Sequence, residues 1–485
     1  MIDGAPFAAG WQVAMPALVA LGAAVVVMLA DLVMRGTERD GVAVVGILGL
    51  AATMAVAVWL WPHTGEVAGF QNTLRADRYA LFFTVVVCLG AALTILMSID
   101  YLRDHPLAGG DYYALVLLST CGMVLMAAAN DLIVIFLALE IMSVAVYVLA
   151  GMLRTDPRSN EAALKYFFLG AFASGFLLYG TAFLYGATGS TQLDAIGRVV
   201  AKSPSDPLVL VGLALLLVGF GFKVAMVPFH GWMPDVYEGA PTTVTAFMAV
   251  GVKATAFAAL ARVLVLAFHG TGAELSAVLW WIAALTMTVG NVTAISQRNL
   301  KRMLAYSSIA HAGYALIGVV TGTPEGGAAL CFYLAVYTVM TIGAFAVLIA
   351  LGRRGEPCES LEDLAGVGFR QPMLGIAMTI FMLSLAGIPP TAGFAGKLAL
   401  FSAAVNAGFV GLAIVGVLNS VVSVYYYFGV LVQMYMAQGT RPVVALARRP
   451  ALAAAIVVAM ALTLGLGLAP SGTLRLAAEA VASLR

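Results

Sequence analysis

The chain has 485 residues, of which 62% are hydrophobic and only 10% charged. A soluble domain carries roughly 25% charged residues, so this composition excludes a water-facing globule and predicts that most of the surface meets lipid. The net charge of +1 leaves no basic patch that would point to nucleic acid.

Apolar runs of about 20 residues, the length that crosses a bilayer's hydrocarbon core, recur from end to end. They predict an all-α polytopic membrane protein with about 14 transmembrane helices. A transmembrane barrel would show short alternating segments instead. In chain order the expected spans are 12–34, 41–61, 79–101, 111–129, 131–151, 161–186, 207–227, 241–269, 274–296, 303–320, 327–351, 372–388 continuing to 404, 409–436 and 451–469. The first follows MIDGAPFAAGW, which lacks the positive n-region of a signal peptide, so it is expected to persist as helix 1. The longest connections fall near 187–206 and 352–371.

Arginine and lysine in the connections set the orientation. One side carries Arg35, Arg39, Arg103, Arg154, Arg158, Arg298, Lys301, Arg302, Arg353, Arg354, Arg370, Arg441, Arg448 and Arg449. The other carries Arg75, Arg78, Arg198, Lys202, Arg475 and Arg485. The richer side is expected to be cytoplasmic, which puts both termini in the periplasm for an even number of spans. The four cysteines, Cys88, Cys121, Cys331 and Cys358, form no CxxC pair and read as small buried hydrophobes.

Two helices are expected to be broken. In the seventh, Pro228 and Pro234 flank FHGWM, and the helix should resume to about 238. In the twelfth, GIPPTAGFAGK carries Pro389 and Pro390 between glycines. Proline removes a backbone donor and clashes with the preceding turn. In lipid such a break survives only where protein or a wet cavity surrounds it. The breaks lie five spans apart, so five-helix units would be inverted relative to each other, an arrangement common in transporters. The expected organisation is helices 1–3 in 1–110, a first repeat (helices 4–8) in 111–270, a second (helices 9–13) in 271–436, and helix 14 with the tail in 437–485.

Charges inside the spans carry the functional signal. Only six lysines occur in the chain, and four of them, Lys165, Lys223, Lys253 and Lys397, fall inside spans. Glu140 sits near the centre of span 5, in DLIVIFLALEIMSVAVYVLAG. At roughly 2.5–3.5 kcal/mol each, these five unpaired groups would cost on the order of 12–17 kcal/mol. One central carboxylate does not neutralise three central lysines. Lysine's ordinary pKa is about 10.4, and in general burial lowers it while a nearby carboxylate restores it. Such amines suit a proton relay whose members are loaded and unloaded by movable neighbours.

Other positions stay open between structural and functional readings. Lys165 lies four residues after Glu161 in NEAALKYFF, so a local pair, a snorkelling side chain and a relay member are all compatible with it. Arg262, near the outer end of span 8, reads as snorkelling. His311, in LAYSSIAHAGYALIG, shares a helix face with Ser307 and Tyr314 and suits proton transfer or packing. His230 is placed to cap groups freed by the seventh helix's break. Asp235 and Glu238 form an entrance or a solvated turn; His105 and His269 look interfacial. The chain holds no ligand-spaced metal cluster, Walker motif, Rossmann fingerprint or GxSxG elbow.

Three stretches, KVAMVPFHGWMPDVYEGAPTTVTAFMAVGVK, QRNLKRMLAYSSIAHAGY and GIPPTAGFAGK, together resemble the antiporter-like membrane subunits of respiratory complex I, the NADH–quinone oxidoreductase. Mrp-type cation/proton antiporters are related. The resemblance runs from span 1 to span 14. It implies that Glu140 is the family's span 5 glutamate, Lys223 the lysine of broken span 7, Lys253 the connecting lysine of span 8, Lys397 the terminal lysine of broken span 12, and Lys165 the further lysine of span 6. It implies a hydrated central axis that moves protons when NADH is oxidised elsewhere in the complex. NADH, FMN, iron–sulfur clusters and quinone are then expected on other subunits, with none bound by this chain. The implied partners are antiporter-like subunits L and M, small subunits K, J and A, the peripheral arm indirectly, and the bilayer of a bacterial inner membrane. Within the family, the loop VYEGAPTTV, a lysine rather than a glutamate at 397, and a short tail after span 14 set the chain apart from sister subunits L and M. Two other readings remain at this stage, an Mrp-type antiporter subunit and a scaffold that transmits movement without conducting.

Overall fold

In the computed structural model, the described residues are 5–34, 39–63, 68–105, 109–269, 272–353, 357–439 and 449–484. Lipid offers no partner to a backbone N–H or C=O, so the chain satisfies these groups within helices. The first helices are α1 (Ala5–Val33) and α2 (Arg39–Leu60), followed by a two-residue ladder of β1 (Ala68–Gly69) and β2 (Leu74–Arg75). Next come α3 (Arg78–Asp104), α4 (Gly109–Ala128), α5 (Leu132–Ala150), α6 (Pro157–Thr188), the short α7 (Leu193–Val200), α8 (Pro207–Val224), α9 (Met233–Gly239), α10 (Thr242–Phe247) and α11 (Lys253–Ala267). The rest are α12 (Gly272–Ile295), α13 (Leu300–Val320), α14 (Pro324–Leu351), α15 (Val367–Arg370), α16 (Pro372–Ala386), α17 (Ala392–Asn406), α18 (Val410–Met436), α19 (Pro450–Leu468) and α20 (Ser471–Ala482).

Among the described residues, 13 helices are long and apolar enough to cross a membrane. The count is 14 if the bent pair Glu362–Arg370 and Pro372–Ala386, at 116°, is one span. Expected span 12 is divided between α16 and α17, 15 residues each. Each is only about 22 Å long at 1.5 Å per residue, short of a core of roughly 30 Å.

Both breaks follow the same local chemistry. Helix α8 ends with Ala225 in the left-handed region (φ 58°), just before a cis Val227–Pro228 peptide. Helix α16 ends with Gly387 (φ 85°), just before a cis Pro389–Pro390 peptide. In the first break, protein groups take up the freed backbone. Trp232 Nε1 donates to the Phe222 carbonyl at 2.9 Å, and the Val227 N–H donates to Thr286 Oγ1 at 3.0 Å.

Helices α13 and α14 run through the middle of the bundle; 94% of the apolar window of α14 is buried against 28% for α19. Small residues let neighbours close in, as expected where lipid supplies no hydrophobic drive between helices. A Cβ on Gly290 would sit 2.6 Å from the Ala310 nitrogen, and one on Gly313 would sit 2.6 Å from that of Met287. This contact locks α12 against α13 and sets Asn291 beside Tyr314.

Arg262 does not snorkel. It is fully buried, and its guanidinium forks onto Asp77 at 2.6 and 2.7 Å while donating to the Ala127 carbonyl at 3.0 Å. Asp77 also caps α3 through the Ala80 N–H. A buried arginine persists in this way because its partner is equally fixed and its charge is matched.

The other ion pairs fall into two groups, each joining residues expected on one side of the membrane. Arg158 and Lys301 reach Glu359, Arg302 reaches Asp235 and Glu238, and Arg449 reaches Asp104. On the other side Arg75 pairs with Asp194 and Arg78 with Glu479. Of the charges used for orientation, Arg35, Arg354, Arg441, Arg448 and Arg485 lie outside the described residues.

Candidate functional site

Lys223 stands on the last turn of α8 and is 2% exposed. Its Nζ donates to Ser143 Oγ at 2.7 Å and to the Tyr147 hydroxyl at 3.1 Å. The rings of Tyr147, Tyr166 and Phe222 surround the amine with centroids at 5.2, 5.5 and 5.7 Å. Aromatic faces stabilise a cation where water is scarce. Glu140, Ser143 and Tyr147 follow i, i+3, i+7 spacing and so share a face of α5. Oε1 of Glu140 is buried without a hydrogen-bond partner. Glu140 is therefore near the lysine's ligands without an ion pair to the lysine itself. Gly170 on α6 leaves the space that the Tyr147 hydroxyl occupies.

Tyr237, on α9, packs against the aromatic cluster beside Lys223. Its buried ring meets Trp232 edge-on at 6.2 Å, and Trp232 stacks on Tyr166 at 4.5 Å. Lys301 anchors α9 by donating to the Glu238 and Ala240 carbonyls, both at 2.7 Å.

Lys253 opens α11, directly after a π-helical turn at Met248–Val252. Such wide turns loosen local backbone bonding and recur at functional sites. Lys253 Nζ donates to the Ser308 carbonyl at 2.5 Å and to Ser308 Oγ, which also accepts from the Tyr337 hydroxyl at 2.8 Å. One turn along α13, His311 is 2% exposed and meets Tyr337 ring to ring at 5.1 Å. Its Nδ1 is 2.5 Å from the Tyr333 hydroxyl and its Nε2 is 3.1 Å from that of Tyr427. Ser307 joins the same Tyr427 hydroxyl. His311 thus lies within the field of both Lys253 and Lys397.

Lys397 completes the row from α17. Its Nζ donates to the carbonyls of Leu385 and Ala386 at 3.1 and 2.9 Å and to Ser420 Oγ at 2.8 Å. Those carbonyls are the ones freed at the end of α16, where the helix dipole favours a cation. The Tyr314 ring lies 4.7 Å from the amine. Tyr314 accepts from Asn291 Nδ2 at 3.2 Å, and Asn291 Oδ1 accepts from Tyr426 at 2.9 Å.

Lys223, Lys253, His311 and Lys397 therefore form one buried row, with Glu140 at its α5 end. Lys165 lies apart. It is 40% exposed and pairs with Glu161 at 2.7 Å and Asp235 at 2.8 Å. Asp235 and Glu238 converge on Arg302. Nδ1 of His230 is buried without a hydrogen bond, and the cap on the Phe222 carbonyl is Trp232. His105 stacks on Tyr101, and His269 is exposed. Sequence reasoning passed over Ser143, Tyr147, Tyr166, Tyr237, Ser308, Tyr337, Tyr333, Tyr427, Asn291 and Ser420. Ser143 and Tyr147 alone carried a readable signal, their spacing from Glu140.

Two broken helices and buried lysines in a polytopic helical bundle define the class, an antiporter-like membrane subunit. The chain matches the family described as NADH:quinone oxidoreductase/Mrp antiporter, TM, over residues 129–423, and it belongs to that family. Its curated relatives within the family include NADH-quinone oxidoreductase subunit N. It is 47% identical over 472 residues to subunit N of Trichlorobacter lovleyi, covering 97% of this chain and 96% of that one. It is 48% identical over 464 residues to subunit N 1 of Sorangium cellulosum, covering 92% and 91%. Among solved structures, a chain of respiratory complex I from Thermus thermophilus with bound aureothin superposes with a TM-score of 0.81 at 39% identity, over 96% of this chain and 99% of that one. A chain of the Mrp complex from Dietzia sp. DQ12-45-1b shares the fold, with a TM-score of 0.86 at 24% identity over 98% and 97%.

Proposed function

We propose that the chain is a proton-translocating membrane subunit of NADH–quinone oxidoreductase, acting as subunit N, the counterpart of mitochondrial subunit 2. Electron transfer from NADH to quinone occurs on other subunits, and this chain binds none of NADH, FMN, iron–sulfur clusters or quinone. Its partners are subunits L, M, K, J and A within a bacterial inner membrane, with both termini in the periplasm. The Mrp-type reading has the shared family model and fold behind it, whereas relatives at 47–48% identity are named subunit N.

The observation that carries this reading is three buried lysines and a buried histidine, each held by Ser or Tyr hydroxyls. Protons pass between amines through Ser, Tyr and His groups, each able to donate and accept. Glu140 sets the state of the first lysine. When the carboxylate approaches, Lys223 holds its proton; when it withdraws, the proton moves toward Tyr237 and Lys253. Lys165, paired at the rim, serves Asp235 and Arg302 at the cytoplasmic mouth.

The test is to measure NADH oxidation and proton pumping by membranes carrying Lys223→Ala or Glu140→Ala. Assembly should persist while both activities fall strongly. Normal pumping in correctly assembled variants would favour a non-conducting scaffold.

A further inference from the structure

A cavity of about 1010 Å³ opens on the side of the bundle carrying Arg198 and Lys202, away from the lysine row. Its apolar walls come from α11, α12 and α14, with Val265, Leu279 and Leu330 among them. It extends from α7 along α12 as far as Leu279, seven residues from the start of that helix, a depth of roughly 10 Å. Packed interiors leave few voids larger than one water, and an apolar hollow of this size does not hold ordered water well.

The rim has the opposite character. Arg198 and Lys202 both line it, stand one helical turn apart, are exposed and make no ion pair among the described residues. His269 is on the same rim. The single carboxylate there, Asp194, is already taken up by Arg75 at 2.6 Å, Asn130 at 3.0 Å and Asn72 at 3.2 Å. The uncompensated charge of the rim is therefore positive. An apolar slot beneath a cationic rim fits an amphiphile with an anionic head, whose phosphate accepts charge-assisted hydrogen bonds from Arg and Lys.

We propose that this cavity is a binding site for a bilayer phospholipid with an anionic headgroup. Its acyl chains fill the slot between α11 and α12, and its phosphate meets Arg198 and Lys202. The lipid would then pack against α11, the helix that opens with Lys253.

The test places a photo-reactive benzophenone amino acid at Val265 in the full chain and irradiates intact membranes. Mass spectrometry then identifies what is attached. The expected adduct is an anionic phospholipid, falling roughly tenfold when Arg198→Glu and Lys202→Glu are combined, since each cation near the surface contributes substantially to such binding. Arg198→Gln with Lys202→Gln replaces that pair if the charge reversal blocks assembly on a native gel. A peptide adduct from another protein, no lipid adduct, or a lipid adduct indifferent to headgroup charge and to both pairs would each overturn the proposal.

Discussion

Lys223 faces the side of α5 that carries Glu140 without forming an ion pair to it. The lysine donates to Ser143 and Tyr147, on the same face of α5 as the glutamate, while Oε1 of Glu140 is buried and unpartnered. A direct pair would fix the proton on the lysine. An indirect one leaves the carboxylate room to move, which a switch requires.

Tyr147→Phe removes one acceptor from Lys223 and keeps the ring. A hydrogen bond to a charged group is worth about 1.5–3 kcal/mol, so coupled NADH oxidation should fall roughly tenfold to a hundredfold with assembly intact. Activity assays on membranes, with a native gel for assembly, check it. Tyr147→Leu should do more, because the cation also loses a ring.

His311→Phe preserves volume while cutting the links to Tyr333 and Tyr427. Proton pumping should fall at least about tenfold, or roughly 1.4 kcal/mol in barrier terms. Dye-quench assays in inverted vesicles read this directly. Tyr427→Phe should lie between wild type and His311→Phe, because His311 keeps its contact with Tyr333.

Arg262 is a stability residue. Arg262→Leu alone leaves Asp77 buried without its cation, at a cost of about 3–5 kcal/mol, and should sharply reduce assembled protein in membranes. Combining Arg262→Leu with Asp77→Asn should recover much of the yield, because the orphaned charge is gone and the α3 cap remains. Immunoblotting of native gels compares the two.

Gly313→Leu should abolish assembly, since a side chain there would strike the Met287 backbone of α12. Gly175→Leu is the control. A Cβ at that position meets nothing within 4 Å, so assembly should be unchanged.

The spans and the lysine row were legible in the sequence because hydrocarbon makes every charge conspicuous. Lys223, Lys253 and Lys397 each stand out in an apolar run, and the prolines near two of them mark the broken helices. The groups between the lysines were not legible. Tyr237, Ser308 and Tyr427 are ordinary residues for a membrane helix, and only packing shows which face the row. Arg262 was misread because its partner, Asp77, lies 185 positions away, so no local pattern reveals the pair. The first break was expected to be capped by His230; Trp232 and Thr286 supply partners to its freed backbone.

Lys253 is the middle amine of the row, so a proton crossing from the Lys223 end to Lys397 must pass it. The most direct measurement is protons released per NADH oxidised in proteoliposomes holding the assembled complex with Lys253→Met. Methionine keeps the length of the side chain and removes the titratable group. The expected result is a clear fall in that ratio or in both rates together. An unchanged ratio at wild-type turnover would contradict proton passage along the row.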